Sequence, residues 1–218
     1  GKALATTDYL PPRGDLRRGG DDYGNRVDRF LACIAYLDGQ RPSLVMCRGY
    51  YTRSVLTAWD WREQKLVHRW TFDSDDGTPG NRAYRGQGNH NLSVGDVDAD
   101  GRDEIVYGSC VIDDDGQGLY STGFGHGDAM HFTDIDPNHP GLEVFKANGD
   151  SASPAGLELR EARTGKQLFA RPSIGRNGVA RACALDLDPR YPGLELWGKG
   201  QGVEGLFSAQ GQLIADRG

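Results

Sequence analysis

Two stretches, HFTDIDPNHPGLEVFKA (131–147) and CALDLDPRYPGLELWGK (183–199), share the pattern D-[IL]-D-P-x-x-P-G-L-E-[VL]-[FW]. Each runs from a short apolar segment through an Asp-bearing turn into a second β-rich segment. Pro137, Pro189 and the Gly that follows each fix the bend. Looser copies stand upstream at 33–49, CIAYLDGQRPSLVMCRG, and at 92–109, LSVGDVDADGRDEIVYGS. Further pairs of alternating segments lie between them: SVLTAWDWREQKLVHRWTF (54–72), VIDDDGQGLYST (111–122), GLELREARTGKQLFAR (156–171) and GLFSAQGQLIADR (205–217).

A repeat of about fifty residues built from four short strands is the signature of a propeller blade. No window carries a capped apolar period of 3.6 residues. The expectation is therefore an all-β chain: an N-terminal extension over 1–21, then a partial β-propeller over 22–218. Its four units fall near 25–80, 88–125, 126–175 and 178–217. A composition with 32 glycines and 37% hydrophobic residues fits many short strands.

The second copy raises an electrostatic question. Asp96, Asp98, Asp100, Asp103 and Glu104 crowd one turn in which Arg102 is the only base. Calcium takes six to eight oxygens, and alternating Asp with a Gly at the bend suits it. Asp96, Asp98, Asp100, the Arg102 carbonyl and Glu104 form one expected ligand set; a solvated acidic turn is the plainer alternative. The matching sets are Asp134, Asp136, the His139 carbonyl and Glu143, then Asp186, Asp188, the Tyr191 carbonyl and Glu195. Asp113 and Asp115 of DDDG are expected to serve a neighbouring site. Bound ions would then supply part of the stability of a thin-cored fold.

The net charge of -6 argues against nucleic-acid binding. No apolar run reaches the length of a membrane span, and the N-terminal residues lack the apolar core of a secretory signal. Cys33, Cys47, Cys110 and Cys183 lack zinc spacing. Cys33 and Cys47 flank one turn, where they read as buried thiols or as a cross-hairpin disulfide.

The stretches DYGNRVDRFLACIAYLDGQRPSLVMCRGYYTR (22–53), GQGNHNLSVGDVDADGRDEIVYG (86–108), GLYSTGFGHGDAMH (118–131) and DLDPRYPGLELW (186–197) together resemble the family-11 polysaccharide lyases, which are rhamnogalacturonan lyases. The resemblance implies an eight-bladed propeller, of which about four blades lie in this chain, with several calcium ions and a groove over a central funnel. It implies β-elimination at the bond between galacturonic acid and rhamnose of pectic rhamnogalacturonan I, in an extracellular or periplasmic setting. The family's proton-abstracting Lys and Tyr are expected in blades beyond this stretch.

By the same resemblance, His90, His126 and Arg181 are candidate catalytic residues. Their Gly-rich segments before inner strands would aim them at the channel. Asn89 and Arg26 are candidate substrate contacts, with Arg29 in a similar position. His90, His126 and Asp128 also stand as candidate calcium ligands, although imidazole is a poor partner for a hard cation. Plainer roles are loop hydrogen bonds for the histidines and an Asp ion pair for Arg181. Two functions follow: a calcium-dependent lyase or part of one, and a calcium-stabilised propeller that binds polysaccharide or protein without cleaving it. An open set of blades also exposes faces suited to self-association.

Overall fold

The computed structural model describes residues 1–172, 178–179, 181–200 and 202–216. Sixteen strands among these residues form four sheets, each a four-stranded antiparallel meander. The first contains β1 (Phe30–Ala35), β2 (Ser43–Arg48), β3 (Val55–Arg62) and β4 (Lys65–Asp73). The second contains β5 (Ser93–Gly95), β6 (Glu104–Val106), β7 (Cys110–Ile112) and β8 (Gly118–Ser121). β9 (Gly127–Thr133), β10 (Glu143–Asn148), β11 (Leu157–Glu161) and β12 (Gln167–Arg171) make the third. β13 (Arg181–Leu185), β14 (Glu195–Lys199), β15 (Gly205–Phe207) and β16 (Leu213–Ala215) make the fourth. Helix is confined to single turns such as α1 (Gly24–Val27).

Four four-stranded antiparallel sheets bear out the all-β reading. The expected limits at residues 175 and 217 lie outside the described residues. Each sheet follows the last in space as well as in sequence. β1 lies against β5, and β13 lies against β9 and β10. A parallel bridge from Asn89 to Gly127 ties the entries of the second and third sheets.

Strand periodicity explains why the inner strands are apolar on both faces. In β6, Ile105 faces the core shared with the first sheet, beside Leu56, Phe72 and Tyr107. Val106 points the opposite way, to Met130 and Val144 of the third sheet. In β10, Val144 faces the second sheet, whereas Phe145 and Ala147 join Leu157, Leu196 and Phe207 against the fourth. The space between the second and third sheets also holds buried Lys146, Glu158 and Arg160.

Residues 9–19 pack on the first sheet. Tyr9 meets Phe30 edge-on at 5.4 Å, and buried Arg48 donates to the carbonyls of Pro11, Pro12 and Arg13. Cys33 pairs with Val45 and Cys47 with Leu31, so the two are not cross-strand partners, and the cysteines are free thiols.

Candidate functional site

The link from β5 to β6 is shaped by its own carboxylates. Asp96 accepts from the backbone N–H groups of Asp100 and Gly101 at 3.1 and 2.9 Å. Asp98 accepts from Asp100, and Asp100 from Arg102. Gly101 sits at φ 90° and Ala99 at φ 67°, the left-handed backbone that so tight a bend needs. Glu104, opening β6, is fully buried. Its Oε2 accepts from the Val97 N–H at 2.7 Å, while Oε1 has no hydrogen-bond partner among the described residues. Burial, reinforced by the charges of Asp98, Asp113 and Asp100, pushes its pKa up to about 8.

Ligand atoms of Asp96, Asp98 and Glu104 lie within 4.8 Å of one another, as do those of Glu104, Asp113 and Asp114. A buried acid with an orphaned oxygen, shared by two carboxylate groups, suits a hard divalent cation. Asp114 was not among the expected ligands. It is 5% exposed and paired with Arg102 at 3.0 Å, whereas the expected Asp115 turns outward to Gln117. The DDDG run marked the cluster, but alternation passed over Asp114, the middle residue, whose carboxylate converges with Glu104 and Asp113. Arg102 spends its guanidinium on Asp114, with Asp100 at 3.9 Å.

The other turns repeat the frame with different neutralising groups. In the third, Glu143 Oε2 accepts from the N–H groups of Ile135 and Asp136, but its Oε1 meets His139 Nδ1 at 3.1 Å. His139 Nε2 reaches Glu161 at 3.1 Å, so the ring lies between the two carboxylates. Asp136 is held by Asn138 and Gln210, and Asp134 is exposed. In the fourth, Glu195 accepts from Leu187 and Asp188. Asp188 is gripped by Arg190, whose guanidinium lies over Tyr191, and Asp186 is exposed. Ligand atoms of these two sets do not converge as those of the second sheet do. Glu195 Oε1 is nevertheless buried and without a partner among the described residues.

A second cluster forms where the sheets' first strands meet. His90 precedes β5, His126 immediately precedes β9 and Asp128 lies at its start, and Tyr50 and Tyr51 follow β2. Gly88 makes this possible, because a Cβ there would strike Tyr50 and Tyr107. His90 Nδ1 bonds the Tyr50 hydroxyl at 3.1 Å; its Nε2 lies 3.1 Å from the Tyr51 hydroxyl and 2.9 Å from Asp128 Oδ1. His126 stacks on Tyr50 at 7°. It donates from Nδ1 to the Gly88 carbonyl at 2.8 Å, leaving Nε2 buried, unbonded and 3.6 Å from Asp128. His90, His126 and Asp128 thus form a third group of converging ligand atoms.

Burial first, then the His126 charge, lowers the His90 pKa. The His126 ring, followed by the charges of His90 and Arg181, holds Asp128 below the usual carboxylate range. Arg26 lies 5.6 Å over the Tyr51 ring, the Arg29 charge acts on Tyr50 and Tyr51, and Arg181 couples to His90 and Asp128. An acidic chain thus presents three arginines at one aromatic floor. Asn89 is fully buried; its amide donates to Asn91 at 2.5 Å, so it braces the loop from within. Tyr50 and Tyr51 escaped the sequence reading because tyrosines after a strand read as core. Their only signal was the GYYTR run at the edge of a resembling stretch.

Consecutive antiparallel sheets with acidic turns and a His–Tyr–Arg surface define an all-β module with candidate cation and anionic-ligand sites. Residues 1–218 match the family described as rhamnogalacturonan lyase family 11, C-terminal domain, and the chain belongs to that family. It is 54% identical over 222 residues to the rhamnogalacturonan exolyase YesX of Bacillus subtilis, covering 100% of this chain and 36% of the relative. It is 54% identical over 214 residues to the rhamnogalacturonan endolyase YesW of the same organism, covering 98% and 33%. The crystal structure of YesX superposes with a TM-score of 0.93 at 55% identity over 100% of this chain and 36% of that one. The Bacillus licheniformis PL11 rhamnogalacturonan lyase superposes with 0.91 at 56% identity, over 98% and 35%. The chain thus spans about a third of the length of the curated relatives it matches. No helix among the described residues is long and apolar enough to cross a membrane.

Proposed function

We propose that this chain supplies part of the substrate-facing surface of a secreted rhamnogalacturonan lyase, acting on pectic rhamnogalacturonan I by β-elimination. The observation that carries the reading is the convergence of His90, His126 and Asp128, with Arg26 over the neighbouring Tyr51 ring and the charges of Arg29 and Arg181 acting on His90. A uronate-bearing polysaccharide needs its carboxylate neutralised before the proton alpha to it can leave. The arginines bind and orient that carboxylate, and the Tyr50–Tyr51 floor packs against the sugar. His90, with its lowered pKa, stays neutral near pH 7 and keeps its hydrogen bond to Tyr50.

The His90–His126–Asp128 group also fits a divalent cation, since its ligand atoms converge and His126 Nε2 is buried without a hydrogen-bond partner among the described residues. A cation held there adds positive charge at the uronate. Calcium at the Glu104 turn, and further ions of that kind, would stabilise the sheets. The four sheets are proposed as consecutive propeller blades over 22–218, with 1–21 as an extension; sequential packing of their first strands supports this.

Incubating the chain with rhamnogalacturonan I and calcium, while following ultraviolet absorbance of the unsaturated uronate, tests the activity. A rise that Arg181→Ala abolishes would show that the chain carries the elimination itself; no rise from folded protein at high concentration contradicts catalysis by the chain alone. The chain's share of its relatives' length favours a second reading, binding without turnover, for which calorimetry with the same polysaccharide gives a Kd and no absorbance change. Self-association is proposed from the outer faces: Phe30, Ile34 and Tyr36 at one end, and Leu185 and Leu187 at the other, are exposed large apolar side chains. Sedimentation reporting a monomer at high concentration would remove that proposal.

A further inference from the structure

Lys146 is a fully buried lysine in β10, pointing into the space between the second and third sheets. A buried ammonium is costly unless its hydrogen bonds are met. Lys146 Nζ donates to Ser109 Oγ at 2.7 Å, to the Gly125 carbonyl at 3.1 Å and to Asn148 Oδ1. Glu158 lies opposite Lys146 across β10–β11 and pairs with Arg160 at 2.8 Å, so the Glu158 charge is already shared. Burial accordingly lowers the lysine pKa to about 7, with Glu158 opposing that shift and Arg160 adding to it. Hydrophobic filling would cost less, so the hydrogen bonds are the feature to explain.

All three acceptors belong to the strip beneath the His–Tyr cluster. Gly125 precedes His126 and also accepts from Ser109 Oγ at 2.8 Å. Asn148 precedes Gly149, whose N–H donates to the His126 carbonyl at 2.9 Å. Gly123 and Gly125 both have positive φ, and Gly127 has no room for a Cβ, which would meet Asn89 Oδ1 and Lys146 Cε. The segment carrying His126 thus has few side chains of its own to fix it.

We propose that Lys146 is a positioning residue whose three hydrogen bonds clamp the Gly125–Gly127 segment against Asn148, so that His126 and Asp128 meet His90 and Tyr51 in one arrangement. Lys146 itself touches no ligand. Its effect on ligand binding rests on the function proposed above; its effect on His126 does not.

The test compares Lys146→Met and Lys146→Gln with the parent chain by melting temperature, by NMR exchange of the His126 Nδ1 proton, and by calorimetry with a rhamnogalacturonan oligosaccharide. Lys146→Met is expected to melt close to the parent, with His126 exchange accelerated by about tenfold or more and affinity reduced about tenfold. Lys146→Gln, which can donate to some of the acceptors, should fall between the two. Parent-like His126 exchange in a folded Lys146→Met chain overturns the proposal. Exchange accelerated equally across the first sheet also overturns it, because the role is then general stability. If Lys146→Met does not fold, Lys146→Gln decides: parent-like exchange at His126 overturns the proposal, and selective acceleration supports it. A parent chain that binds no oligosaccharide removes the function above, while the exchange comparison still decides the role of Lys146.

Discussion

The turns of the first and second sheets begin from the same plan and end in opposite electrostatic states. In the first, Asp38 accepts from the N–H groups of Gln40 and Arg41 and pairs with Arg41 and Arg62 at 3.1 and 3.2 Å. Backbone bonds first, then the Arg41 side chain, hold Asp38 down at about 2. Tyr36 stands where the second turn has Asp96, and Ser43 where it has Glu104. In the second, five acids face one guanidinium that is spent on Asp114 and Asp100, and Glu104 is left buried with a raised pKa. One turn takes its counter-charge from the chain; for the other we propose a cation from solution. Tyr36 N–H donates to Asp103 at 2.7 Å, so the two turns are physically joined.

The largest way to break that contrast is removal of Glu104. Calcium at about a hundred times its Kd adds roughly 2.7 kcal/mol, which for a chain of this size is a rise of about 5–10 °C. Glu104→Gln should lose most of that rise in a melting scan with and without chelator. Next comes pH. The Glu104 pKa of about 8 lies above its ordinary 4.5, so between those values the folded chain holds a proton that the unfolded chain has released. This group's contribution to ion-free stability is full below pH 4.5 and is lost as pH rises to about 8. Melting scans of the chelated chain should show that slope, and Glu104→Gln should flatten it.

A smaller effect belongs to the first turn. Arg62→Met removes partners of Asp38 and Asp60 and should cost up to about 1 kcal/mol, with no new response to calcium because Ser43 offers no carboxylate. The smallest is Arg190→Ala in the fourth turn. Arg190 is exposed, and its side chain is the first cause holding Asp188 down at about 2. Carbon-detected NMR should show the Asp188 carboxyl rising toward its ordinary pKa, with the melting temperature unchanged.

The sheets were legible because strand alternation and the repeated Asp-turn–Glu unit are local signals. β6 and β10 show it, each sending alternate residues into different cores. The 54–72 pair of alternating segments likewise forms a hairpin, turning at Glu63–Gln64 with both residues at positive φ. The counter-charges were not legible, because they arrive from other strands. Arg62 reaches Asp38 from β3, and Asp114 reaches Glu104 from the β7–β8 link. His139 was expected to offer a carbonyl, yet it places its ring between Glu143 and Glu161. Tyr50 and Tyr51, just past a strand, and Lys146, within one, carry no local polar signal, and their polar contacts exist only once the sheets meet.

Isothermal titration of the chelated chain with calcium at pH 7, repeated in buffers of different ionisation enthalpy, tests the centre of this account. Binding should release close to one proton, the one Glu104 carries below about 8, and Glu104→Gln should abolish both the release and the tightest binding step. Calcium binding without proton release, or with unchanged affinity in Glu104→Gln, would contradict it.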